Sequence, residues 1–128
     1  MGALVARAAA LRTDADRVRG RARTLAQHPG AARWSSLAGA AARERVTRLG
    51  ELHLAAATAL EEAAAALEAH VRGVERTRLL VADAERWVLG RLAAHGVDGT
   101  AWAARVSLPA TGSRRWLDLA TELRARGW

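Results

Sequence analysis

Apolar residues recur along this chain with helical spacing almost from its first residue. Over residues 3 to 27, Leu4, Ala8, Leu11, Ala15, Val18, Ala22 and Leu25 alternate at intervals of four and three. That alternation puts them on one face of a helix that must lie against another helix. Every second seam residue is Ala, which permits close approach but buries little area, so this helix cannot be stable alone. His28-Pro29-Gly30 ends it, because Pro blocks continuation and Gly accommodates reversal. A second helix starts at Ser35 or Ser36, either of which can cap it, and its periodicity persists to about Ala94. Its stripe is Leu60, Leu67, Val74, Val81 and Val88 at intervals of seven, with Ala63, His70, Thr77 and Ala84 interleaved. Gly50 and Gly73 are its weak points: the helix is continuous or gently bent, or else it breaks near Gly73. His95-Gly96-Val97-Asp98-Gly99 stops it. Beyond, Trp102 to Pro109 reads as irregular or a short extended piece, and Ser113 can cap a last short helix with Trp116, Leu119, Ala120 and Leu123 on its apolar face. The fold expected is all-α: an antiparallel, coiled-coil-like helical hairpin over 1–95 with a long second helix, and a C-terminal packing arm over 96–128.

Composition reinforces this. Of 128 residues, 33 are Ala and 17 Leu, the two leading helix formers among apolar residues, while Phe, Tyr, Ile, Lys, Asn and Cys are absent. A β-sandwich or doubly wound α/β fold is excluded, and without cysteine so are disulfide frameworks, zinc knuckles, iron–sulfur clusters and thiol nucleophiles. All 20 basic residues are Arg, against 13 acids. The missing residue types other than Cys have A/T-rich codons, so part of the Arg excess reflects a GC-rich genome. The charge is blocked: +7 over residues 1–48, −4 over 49–71, and +2 in each of 72–95 and 96–128. An Arg-rich first helix folding back on a Glu-rich stretch, Glu51 to Glu68, is complementary within one chain.

Hairpin geometry then suggests a partner. A tight reversal at Pro29-Gly30 places Leu25 near Leu37 and Leu4 near Leu60, so residues 63 to 94 overhang by about 48 Å at ~1.5 Å per residue. The terminal helix covers only part of that length. Leu60, Leu67, Val71, Val74, Leu80, Val81 and Val88 are therefore expected to form an interface with another chain.

Trp34-Ser35-Ser36, followed by Leu37-Ala38-Gly39-Ala40-Ala41-Ala42-Arg43, resembles the WXG100 (ESAT-6-like) proteins of type VII secretion, in a W-x-S form, over about residues 3 to 80. The resemblance implies a helical hairpin whose turn motif is carried by Trp34 and Ser36. It also implies a secreted substrate, or a helper: a homodimer, or a heterodimer with another hairpin or with the N-terminal helices of a secreted effector, for which the chain would be partner or targeting factor. Two departures stand out: there is no Tyr, so no Y-x-x-x-D/E export signal, and the second helix and tail exceed the usual length. Export of this chain by type VII secretion stays an open alternative, with the missing signal counting against it.

The remaining motifs carry little chemistry. Leu108-Pro109-Ala110-Thr111-Gly112 matches the LPxTG sortase signal letter for letter, but Ser113-Arg114-Arg115 and an amphipathic helix follow it instead of an apolar span. Neither His53 nor His70 has a His, Asp or Glu three or four positions away, and His70 reads as a polar register device at the seam. No nucleophile elbow or phosphate-cradling Gly loop occurs, so neither an enzyme nor a cofactor is expected. Arg7 interrupts any signal-peptide core, and no membrane span is present, so the expected location is the cytoplasm. The alternative function is a basic helical protein associated with nucleic acid, with Arg12, Arg19 and Arg23 on one face and Arg17 and Arg21 extending it.

Overall fold

The computed structural model describes residues 1–27 and 36–128, and among these it contains four helices and no strand. They are α1 (Gly2–Ala26), α2 (Leu37–Ala94), α3 (Gly96–Val106) and α4 (Arg115–Ala125). The chain divides into two compact units, Met1–Val71 and Arg72–Trp128, so the boundary falls inside α2 and not at its C-terminal end. There is no break at Gly50 or Gly73. The hairpin turn, including Trp34, lies outside the described residues.

In the first unit, the alternation read from the sequence is the packing. Ala8, Ala15 and Ala22 are buried, and Leu4, Leu11, Val18 and Leu25 between them are half-buried. On α2 the matching row is Gly50, His53, Ala57, Leu60, Ala64, Leu67 and Val71, spaced by three and four, with Ala57 and Ala64 fully enclosed. Alanine in both rows lets the helices approach closely, and the larger seam residues fill the flanks. Ser36 caps α2, its Oγ accepting the Gly39 N–H at 3.1 Å.

The register differs from that of a tight hairpin. Arg12 pairs with Glu68 and Arg19 with Glu61, and in both pairs the residue numbers add to 80. These pairs rule out Leu60 lying beside Leu4, and Leu25 lies beside Leu49 and His53, not Leu37. Matching the Arg of α1 to the Glu of α2 requires this displacement. The row on α2 also corrects the interleaved positions: Ala63 and His70 are exposed, and Ala57, Ala64 and Val71 occupy the seam. The seam histidine is His53.

The second unit has its own core. Val81, Ala84, Val88 and Leu92 of α2 are enclosed with Trp102 of α3 and Trp116, Leu119, Ala120 and Leu123 of α4. Residues 102–106, read from the sequence as irregular, are helical. Gly99 makes this arrangement possible: it is buried, and a Cβ there would meet the Leu92 carbonyl oxygen at 2.1 Å. Only a residue without a side chain lets α3 cross so close to the end of α2. The Leu108 to Gly112 segment is a structural turn, in which the Trp116 indole N–H donates to the Ala110 carbonyl at 3.0 Å and the Gly112 N–H to Glu85 Oε2 at 3.2 Å. Ser113 Oγ accepts the Arg115 N–H at 3.3 Å just ahead of α4, whose N-cap position is Arg114 and not Ser113. At the other end of α4, Gly127 adopts φ +77° while the Trp128 N–H reaches the Leu123 carbonyl and the Gly127 N–H that of Arg124. This six-to-one closure delivers Trp128 onto His95, stacked at 4.2 Å, and beside Trp102.

Candidate interaction surface

The residues expected to meet a partner are mostly used within the chain. Val81 and Val88 are 3 % and 0 % exposed in the core of the second unit, where α3 and α4 cover them. Leu60, Leu67 and Val71 belong to the seam row and are half-buried, as is Val74. Only Leu80, 59 % exposed, presents a free surface. The displaced register explains this correction for the first unit, since it carries α1 along α2 at least as far as Glu68.

A different stripe is left open. The residues one position before the seam row, Leu49, Leu52, Ala56, Ala59, Ala63 and Ala66, repeat the same spacing of three and four, and all are exposed and uncharged. Leu52 is 67 % exposed. The sequence carried this signal, but a run of Ala makes both rows look alike, and only the register shows which one α1 occupies. Further exposed leucines on α2 are Leu37, Leu54, Leu79 and Leu89.

The two edges of the α1–α2 seam differ in charge. On one edge, Arg12 and Arg19 of α1 reach Glu68 and Glu61 of α2 at 2.9 and 2.7 Å. The hydrogen bond and charge of Arg19 hold the Glu61 carboxyl below the ordinary glutamate range, and the same pairings raise both guanidinium groups further. Two members of the Arg stripe read as a possible phosphate track are thereby engaged within the chain. On the other edge lies a cavity of about 510 Å³, lined by Arg17, Arg21, Thr24 and Leu25 of α1 and by Leu49 and His53 of α2, among others. His53 Nδ1 donates to the Leu49 carbonyl at 2.7 Å, which fixes the ring against the helix. This cavity opens at the head of the exposed stripe.

Comparison with family models, curated proteins and solved structures finds no match. The chemistry of the site rests on its geometry. Among the described residues no group of three or more His, Asp or Glu side chains could hold a metal ion, and no polar or charged residue is buried. No described helix is long and apolar enough to cross a membrane. A second apolar concavity, about 790 Å³, lies in the second unit along Leu89, Ala93, Val97, Thr100, Ala104 and Leu108, and no charged residue lines it.

Proposed function

We propose that this chain is a non-enzymatic helical interaction protein of the WXG100-like kind, acting as a dimer or as partner or targeting factor for a type VII secretion effector. The observation that carries the proposal is the exposed stripe on α2 of the first unit. It has the spacing of a helix-packing row, it is uncharged over 49–66 apart from residues on other faces, and no described helix of this chain covers it. The antiparallel pairing of α1 and α2, and Ser36 at the start of α2, agree with the hairpin that the resemblance implies.

The nucleic-acid alternative is less well supported, because Arg12 and Arg19, its central contacts, are committed to Glu68 and Glu61. A phosphate track needs a continuous row of available cations.

The test is association. Sedimentation velocity of the full chain, alone and co-expressed with Trp-x-Gly proteins or effector N-terminal segments encoded beside it, should show a complex. Leu52→Asp combined with Ala59→Asp should abolish that complex while the far-ultraviolet circular dichroism stays helical. A wild-type chain that remains a monomer and binds none of these would refute the proposal.

A further inference from the structure

We infer that the exposed stripe of α2 receives an amphipathic α-helix of another polypeptide whose edge toward α1 is acidic. The inference rests on the interaction reading above and specifies its partner.

Three observations lead to this occupant. The first is spacing: Leu49, Leu52, Ala56, Ala59, Ala63 and Ala66 alternate at three and four, which matches the side-chain rows of a helix and not the two-residue repeat of an extended strand. The second is backbone hydrogen bonding. An extended peptide lying on a helix finds no ladder of free N–H and C=O groups to pair with, whereas a helix satisfies its own. Four small residues in the stripe also admit the close axial approach that helix packing uses.

The third is charge. The cavity at the head of the stripe places Arg17 and Arg21 beside Leu25 and Leu49, and no acidic residue lines it. Arg17 shares one guanidinium nitrogen with Asp14 at 2.7 Å, while no ion pair in the described structure engages Arg21. Arg17 and Arg21 stand one helical turn apart, so carboxylates four residues apart on a docked helix would face both in turn. A second copy of this chain fits less well. Its own stripe is bordered on the outer side by Glu51 and Glu62, eleven residues apart, a spacing that cannot face Arg17 and Arg21 one turn apart, and its Glu61 and Glu68 are already held by Arg19 and Arg12. A nucleic acid or an anionic membrane would require cations along the whole edge, where Asp14 instead interrupts the row.

The experiment titrates the full chain with three synthetic amphipathic helical peptides that share one Leu/Ala stripe and differ along one edge, carrying Glu, Gln or Arg at intervals of four. Fluorescence anisotropy should show the Glu-edged peptide binding about tenfold tighter than the Gln-edged one, with the advantage shrinking as salt rises. Arg17→Glu with Arg21→Glu should move the preference to the Arg-edged peptide, and Leu52→Arg should abolish binding of all three. Arg21→Gln alone, a mild change at an exposed position, should lower the Glu-edged advantage if the double variant does not fold. Equal binding of Glu- and Gln-edged peptides, or no binding of any, overturns the assignment. Self-association blocked by Leu52→Arg, with no peptide bound, gives the stripe to a second copy and overturns it as well. In that case, or where a natural partner binds regardless of Arg17 and Arg21, the interaction reading itself survives.

Discussion

Gly99→Ala places the heaviest demand on the structure for the smallest chemical change. A methyl group at residue 99 would lie 2.1 Å from the Leu92 carbonyl oxygen and 2.8 Å from its carbon. Ordinary contact begins near 3.4 Å, so α3 must move away from α2 by about 1.3 Å. The obstacle is backbone, which cannot rotate aside as a side chain does. Overpacking of this kind destabilises by about 1–3 kcal/mol, and a backbone obstacle puts Gly99→Ala at the upper end. A three-helix unit of this size has only about 3–5 kcal/mol in its core, so the loss removes most of its stability. Four of the five Trp, at 87, 102, 116 and 128, lie in this unit, so urea unfolding followed by fluorescence and near-ultraviolet dichroism reports on it selectively. Gly90→Ala is the control, because nothing lies within 4 Å of a Cβ there. It should stabilise by up to about 0.5–1 kcal/mol through helix propensity alone. A Gly99→Ala protein that unfolds at the wild-type midpoint would refute the close crossing of α3 over Leu92.

Three further changes probe other parts. Leu123, fully enclosed among the Trp residues, should lose about 2–5 kcal/mol on Leu123→Ala, measured by the same fluorescence transition. Ala57→Leu inserts bulk at a fully enclosed position of the first unit's seam, and should lower the thermal midpoint of the whole-chain helical signal, whereas Ala65→Leu, at an exposed position of the same helix, should leave it nearly unchanged. Glu61 has a depressed pKa in the folded state, so its pairing with Arg19 stabilises fully above the ordinary glutamate range and is lost as pH falls through the folded value. Glu61→Gln should therefore make stability less dependent on pH in acid, and an unchanged acid limb would count against the pair.

Much of this was legible in the residues, and the errors share one cause. The α1 seam could be read directly because it alternates over seven positions with nothing else apolar of comparable regularity. Its counterpart on α2 could not, since residues 55–57 and 63–66 are unbroken Ala runs and two faces fit the spacing equally. Which face is covered depends on register, and register follows from the long-range pairing of Arg12 and Arg19 with Glu68 and Glu61. Without it, residues that serve the chain's own seam and core, Leu60, Leu67, Val81 and Val88, read as an interface, and nothing distinguishes the stripe from Leu49 to Ala66. Helix α3 is hard to read from the residues for a related reason. Gly96 and Gly99 weaken local helix propensity, yet Gly99 is what the tertiary crossing requires, so packing overrides local preference.

The claim that the free stripe of α2 is where this protein meets another chain is tested most directly by photo-crosslinking in the producing cell. A photoreactive side chain at Ala63 lies on the stripe, and one at Ala65, equally exposed, lies on a different face of the same helix. The account predicts a covalent adduct with a second polypeptide from residue 63, repeated from residue 59, and none from residue 65. Adducts of equal yield from both faces, or from residue 65 alone, would contradict it.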